Sequence, residues 1–84
     1  METVTIDGIE YPVRYQHHRV TDAKGVIQTK GGRTTAYIVD KVNNRQIAFA
    51  EAFCSVKDNY RRPMGRKIAY GRLIKKIVMA QRMA

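Results

Sequence analysis

The sequence predicts an α+β fold: an antiparallel sheet of three or four strands, built from two hairpins, with one C-terminal helix packed on one face. Three observations carry this. Asp7-Gly8 lies between two stretches in which apolar and polar residues alternate. A second pair of such stretches flanks Asn43-Asn44. From residue 58 to 83 the apolar residues recur at helical spacing instead.

In the first hairpin, Asp-Gly supplies the positive φ that a type I′ turn needs at both central positions. A two-residue loop sets Ile6 opposite Ile9 and Val4 opposite Tyr11. Val4, Ile6, Ile9, Tyr11, Val13 and Tyr15 then share one face, so turn and pattern agree on strands over 3–6 and 9–19. Pro12 falls on the other face and lacks a backbone donor, which marks an edge strand or a bulge. Residues 21–33 are polar, contain Gly25, Gly31 and Gly32, and read as a long loop. Lys24, Lys30 and Arg33 make that loop a candidate basic arm, and a short strand around Val26-Ile27 fits within it.

The second hairpin is expected over 34–41 and 46–54. Pairing Val42 with Arg45 puts Val39 opposite Ala48, Tyr37 opposite Ala50 and Ile38 opposite Phe49. One face of the later strand holds Ala48, Ala50, Ala52 and Cys54, a shallow row against which a helix can pack closely. The other holds Ile47, Phe49 and Phe53, with Glu51 among them. Apolar residues on both faces point to a central strand. One helix covers only one face. The far face is left for sheet curvature, for the long loop or for a second copy of the chain, so a homodimer is among the expectations.

The helix is expected over about 56–82, with a break or kink near Pro63. Ser55 reads as its N-cap and Asp58 as the capping-box acid. Proline disfavours helical geometry at Arg62, so the long segment starts at 62 or 63 and residues 55–61 form a first turn or two. On a helical wheel Tyr60, Met64, Ile68, Gly71, Ile74, Ile77 and Val78 fall on one side. Arg61, Arg62, Arg66, Arg72 and Lys76 spread over the other, with Gly65 and Ala69 among them leaving room for a partner.

An 84-residue chain with 44% hydrophobic and 27% charged residues reads as one compact globular domain rather than a disordered segment. Its formal charge of +9 favours nucleic acid or an acidic protein surface as partner. Cys54 is the single cysteine, which excludes an internal disulfide and a cysteine-based zinc site and fits a reducing, cytoplasmic setting. The first ten residues lack the features of a signal peptide, and no apolar run is long enough to span a bilayer, so no membrane partner is expected.

Arg61, Arg62, Arg66, Arg72, Lys75, Lys76 and Arg82 are the main functional signal, because arginine forks match phosphates and carboxylates. A helix face that only keeps a protein soluble mixes both signs, whereas acids are missing here after Asp58. Tyr11, Tyr15, Tyr37, Tyr60 and Tyr70 suit base stacking, but most fall on inner faces where packing explains them. His17-His18 would point to opposite sides of a strand and make no metal site. Cys54 reads as a buried thiol. No catalytic constellation is found, no cofactor is implied, and an enzyme is not expected.

The segment Cys54-Ser55-Val56-Lys57-Asp58-Asn59-Tyr60, followed by Gly65-Arg66-Lys67-Ile68-Ala69-Tyr70-Gly71-Arg72, resembles small uncharacterised bacteriophage-encoded proteins. Those share C-S-x-K-D, an aromatic, then G-R-x-x-A-x-G-R; Pro63 departs from the pattern. The resemblance covers about a quarter of the chain. It implies an early or accessory phage protein of the bacterial cytoplasm, including a blocker of host defence such as an anti-CRISPR. At the level of fold alone, the strand-strand-strand-helix layout also resembles the DNA-binding domains of integrases and plant transcription factors that read DNA with a three-stranded sheet.

The expectation is therefore a non-enzymatic module that binds nucleic acid or a nucleoprotein complex through the helix cations, aided by Lys24, Lys30 and Arg33. The alternative is a protein–protein inhibitor that sets the same arginines, with Met64 and Tyr70, on an acidic host surface. A third is a homodimer closed across Ile38, Phe49 and Phe53.

Overall fold

The computed structural model describes residues 2–83. Its elements are β1 (Thr3–Ile6), β2 (Ile9–Pro12), β3 (Arg14–His18), β4 (Lys30–Asp40), β5 (Arg45–Asn59) and α1 (Arg62–Met83). All strands pair antiparallel, and α1 packs on β4 and β5, so the fold is α+β.

Asp7-Gly8 makes the first hairpin: φ is 51° at Asp7 and 80° at Gly8, and Ile6 faces Ile9 while Val4 faces Tyr11. The strand expected over 9–19 divides at Val13. β2 pairs with β1, whereas β3 pairs with β4 in a separate sheet of order β3-β4-β5. Pro12 cannot donate to a ladder, and buried Val13 bonds Glu2 O through its amide at 2.9 Å, so the chain turns a corner there. Ile9, assigned to the inner face, is exposed at the hairpin tip.

The segment expected as a long loop over 21–33 ends earlier, at β4, and is folded on itself. Asp22 accepts from the amides of Lys24 and Val26, and Thr21 bridges Ile27. β4 starts at Lys30, so Gly31 and Gly32 belong to a strand. Gly32 sits at φ 127°, where an added Cβ would lie 2.8 Å from the Tyr60 ring and from His18 O.

The second hairpin differs from its expected register. Asp40 pairs with Arg45, Ile38 with Ala48, Tyr37 with Phe49 and Ala36 with Ala50, with a bulge between Ile38 and Val39. The turn is longer than Asn43-Asn44 because Asp40 anchors it, accepting from Val42 N at 3.0 Å and Asn43 Nδ2 at 2.9 Å, and Asn44 takes φ 53°. Adding residues to turn and bulge slips the ladder and exchanges faces. Ile38, at 0% exposure, therefore joins Thr34, Ala36, Ala50 and Ala52 under the helix and is not on the far face with Phe49 and Phe53.

β5 continues through residues 55–59, which were expected to open the helix. Lys30 pairs with Asn59 and Tyr60 N bonds Thr29 O at 2.8 Å, so the sheet holds this backbone extended. Ser55 is thus no N-cap; its hydroxyl accepts from Lys57 N within the strand. The bond Gly65 N to Arg61 O, 3.0 Å, opens α1. That places Pro63 in the first turn, where a missing N–H leaves nothing unpaired.

α1 also presents a different face. Ala69, Leu73 and Ile77 are buried, with Tyr70 and Ile74 partly so, whereas Met64, Ile68 and Val78 are exposed. Gly65 and Ala69, assigned to the cationic side, lie against the sheet. A Cβ at Gly65 would stand 2.3 Å from Thr34 Oγ1. The cause is close approach: an alanine-lined sheet brings the helix backbone so near that only small side chains fit between.

Candidate functional site

The N-terminal end of α1 concentrates positive charge. Arg61, Arg62 and Arg66 are exposed, and the first turn holds no acid. The helix dipole adds partial positive charge at the same end, where acids are favoured and cations are not. Among the described residues the one ion pair is Arg33 with Glu51, 3.3 Å apart on the sheet, so none of these three arginines is ion-paired there.

A polar cluster fixes this end of the helix. Thr34, fully buried beneath Gly65, has Oγ1 2.7 Å from Tyr60 OH and 3.0 Å from His17 Nδ1. Tyr60 OH lies 2.6 Å from the same nitrogen and donates to Arg33 O at 3.2 Å. Arg19 stacks over the Tyr60 ring at 4.7 Å and donates to Gln28 O at 2.8 Å. β3, β4, the 19–29 segment and the start of α1 are thereby joined through one tyrosine.

Burial, then the charges of Arg62, Arg66 and His18, holds the His17 pKa below its usual 6.5. The sign follows from proton linkage. Below the ordinary value the unfolded chain takes up a proton that folded His17 refuses. This contribution is complete above that value and is lost progressively as pH falls beneath it. Unfolding midpoints measured from about pH 7 to about pH 5 should therefore decline more steeply for the wild type than for His17→Gln.

Arg72 and Lys76 are placed differently from the other helix cations. β5 is an edge strand; Arg72 Nη1 donates to Glu51 O at 2.8 Å and Lys76 Nζ to Phe49 O at 2.9 Å. The two side chains cover backbone acceptors that a foreign strand would otherwise use. A carbonyl is neutral, so both charges stay uncompensated and within reach of an anion. Lys24 sits in the small Asp22 turn, Arg33 lies on the sheet face away from α1, and Lys30 lines a groove. The ten nominated positions thus divide: Gly65 and Ala69 leave the surface, and the eight cations spread over helix start, strand edge, sheet face and loop.

The groove, about 580 Å3, runs between the far end of β5 and the first turns of α1. Phe53, Met64 and Ile68 line it and are exposed, and Lys30, Lys57 and Arg61 stand at it with Asp58. Cys54, expected to be buried, is half-buried here, its thiol 3.4 Å from Asp58 O. Tyr70, nominated as a surface contact, donates to Thr3 O at 3.2 Å and packs against the core. Arg14, Arg19 and Lys57 did not stand out in the sequence. The alternation that would have placed Lys57 was overridden by the apparent Ser-x-x-Asp cap.

Among the described residues no helix is long and apolar enough to cross a membrane. Comparison with protein-family models, with curated proteins and with solved structures finds no significant match.

Proposed function

We propose that this protein is a non-enzymatic basic module that binds nucleic acid or a nucleoprotein complex. The observation that carries this is the set of arginines at the start of α1, exposed and free of any acidic partner among the described residues. Their resemblance-bearing segment supports a phage origin, and then the bacterial cytoplasm as the place of action.

Titration against duplex DNA, single strands and a structured RNA at two salt concentrations tests the reading. Log affinity should fall with log salt by ~0.9 per phosphate neutralised on duplex and ~0.7 on single strands. Replacing Arg61, Arg62 and Arg66 together by alanine should weaken binding by roughly ten- to a hundredfold and reduce the salt slope by ~2 to 3. Arg72 is left intact in that variant because it holds the edge of β5. Unchanged affinity in a folded triple variant overturns the assignment of this surface.

The groove favours a second reading, an inhibitor that docks on an acidic protein of the host, an anti-CRISPR-like role. Met64 and Ile68 would then act as apolar contacts and Lys30, Lys57 and Arg61 as the rim. Capture from bacterial lysate with and without nuclease separates the two. Nuclease-sensitive capture supports the first, and nuclease-resistant capture of one protein, with no affinity for nucleic acid, supports the second.

A further inference from the structure

The face of the β3-β4-β5 sheet turned away from α1 is furnished unlike a solvated surface. The register sets Tyr37 beside Phe49 and Arg14, and Arg33 beside Phe53 and His18. Alternation sends all of them opposite to Thr34, Ala36, Ile38, Ala50 and Ala52, which are buried under the helix. The chain's two phenylalanines are thus both outside, Phe53 at 70% exposure, while the covered face is filled by alanine, isoleucine and threonine. Burial energetics favour the reverse arrangement, so exposed rings on this scale mark a contact surface.

We propose that this face is a stacking platform for unpaired nucleobases, and hence that the nucleic acid bound by this protein is single-stranded. The inference rests on the nucleic-acid reading above and adds the class of ligand. The charges suit that ligand. Arg14 flanks Tyr37 and the Lys76 ammonium lies 4.5 Å over the Phe49 ring, so these two aromatics have beside them, for a phosphate, a cation that makes no ion pair among the described residues. Glu51, the acid in the middle of the face, is already paired with Arg33. Phe49 and Phe53 are separated by roughly 13 Å along the strand, enough to engage separate bases. A duplex keeps its base faces inside the stack and offers these rings nothing to lie against. A second copy of the chain is disfavoured because each brings a formal charge of +9.

The protein contains no tryptophan, so Phe53→Trp creates a single fluorescent reporter on the platform. A thymidine oligonucleotide should quench it on binding, whereas heparin, a polyanion without bases, and a blunt duplex should not. Phe53→Ala should bind the oligonucleotide about tenfold more weakly with an unchanged salt slope and bind heparin as the wild type does. Equal affinity of wild type and Phe53→Ala for the oligonucleotide, without quenching in Phe53→Trp, overturns the platform and leaves the cationic reading standing. Failure to bind the oligonucleotide, duplex or heparin even at low salt overturns both. A concentration-dependent dimer that Phe53→Ala dissociates assigns the face to a second copy and also overturns the platform.

Discussion

Ile38→Ala is expected to lower the free energy of unfolding by about 3 to 4 kcal/mol, whereas Phe53→Ala should change it by less than about 1 kcal/mol. Sequence alone puts both residues on one side of the second hairpin, where a similar effect would follow from either. The observed ladder separates them. Ile38 is fully enclosed between the sheet and α1, and Phe53 projects to the opposite face at 70% exposure. Removing the isoleucine methyl groups leaves a cavity that an alanine-lined neighbourhood has no side chains to fill. Urea unfolding provides the measurement: the midpoint of Ile38→Ala should drop with the slope unchanged, which is the mark of altered stability alone. Comparable losses in the two variants would mean that Ile38 and Phe53 share a face after all.

Gly65→Val is expected to destabilise by about 3 kcal/mol, and Gly71→Ala to stabilise by ~0.5 to 1 kcal/mol. Both glycines lie in the same helix, and propensity alone favours replacing either. The difference is what a side chain meets. At Gly65 a Cβ would sit 2.3 Å from Thr34 Oγ1 and 3.1 Å from Thr34 Cβ, and Thr34 is fixed by Tyr60 and His17. At Gly71 nothing lies within 4 Å. Moving the helix away to relieve the clash would open the contacts of Ala69 and Leu73 with the sheet, both at 0% exposure. Thermal and urea midpoints should therefore shift in opposite directions. A tolerated Gly65→Val would show that the helix does not approach the sheet this closely.

The same close approach explains what could be read from the residues in advance. The turn and register of the first hairpin were legible, because Asp7-Gly8 fixes both loop length and turn type, but the break at Val13 and the exposure of Ile9 were not. The presence of a C-terminal helix and an alanine-lined contact with it was legible too. The wheel was misleading, because it ranks residues by hydrophobicity and so placed Met64 and Ile68 inward and Gly65 and Ala69 outward. Where helix and sheet nearly touch, size outranks hydrophobicity. The start of the long helix at Arg62 was legible from Pro63, but the extra turn or two expected over 55–61 does not form. Ser55 and Asp58 have capping spacing, yet pairing of Lys30 with Asn59 keeps that segment in the sheet.

For the candidate site, the surplus of cations was plain in the sequence but not their distribution. Arg72 and Lys76 look like Arg62 and Arg66 along the helix, and only the position of edge strand β5 gives them backbone carbonyls to hold. Alternation alone puts Phe49 and Phe53 on a far face, but their neighbours Arg14 and Arg33 come from other strands and only the pairing shows them.

By itself the sequence determined the class of elements, the first turn and the excess of positive charge, all of which depend on residues close together in the chain. The tertiary structure decided which face each residue occupies, because a slipped hairpin register and a helix held to its sheet by small side chains are settled by contacts between distant segments.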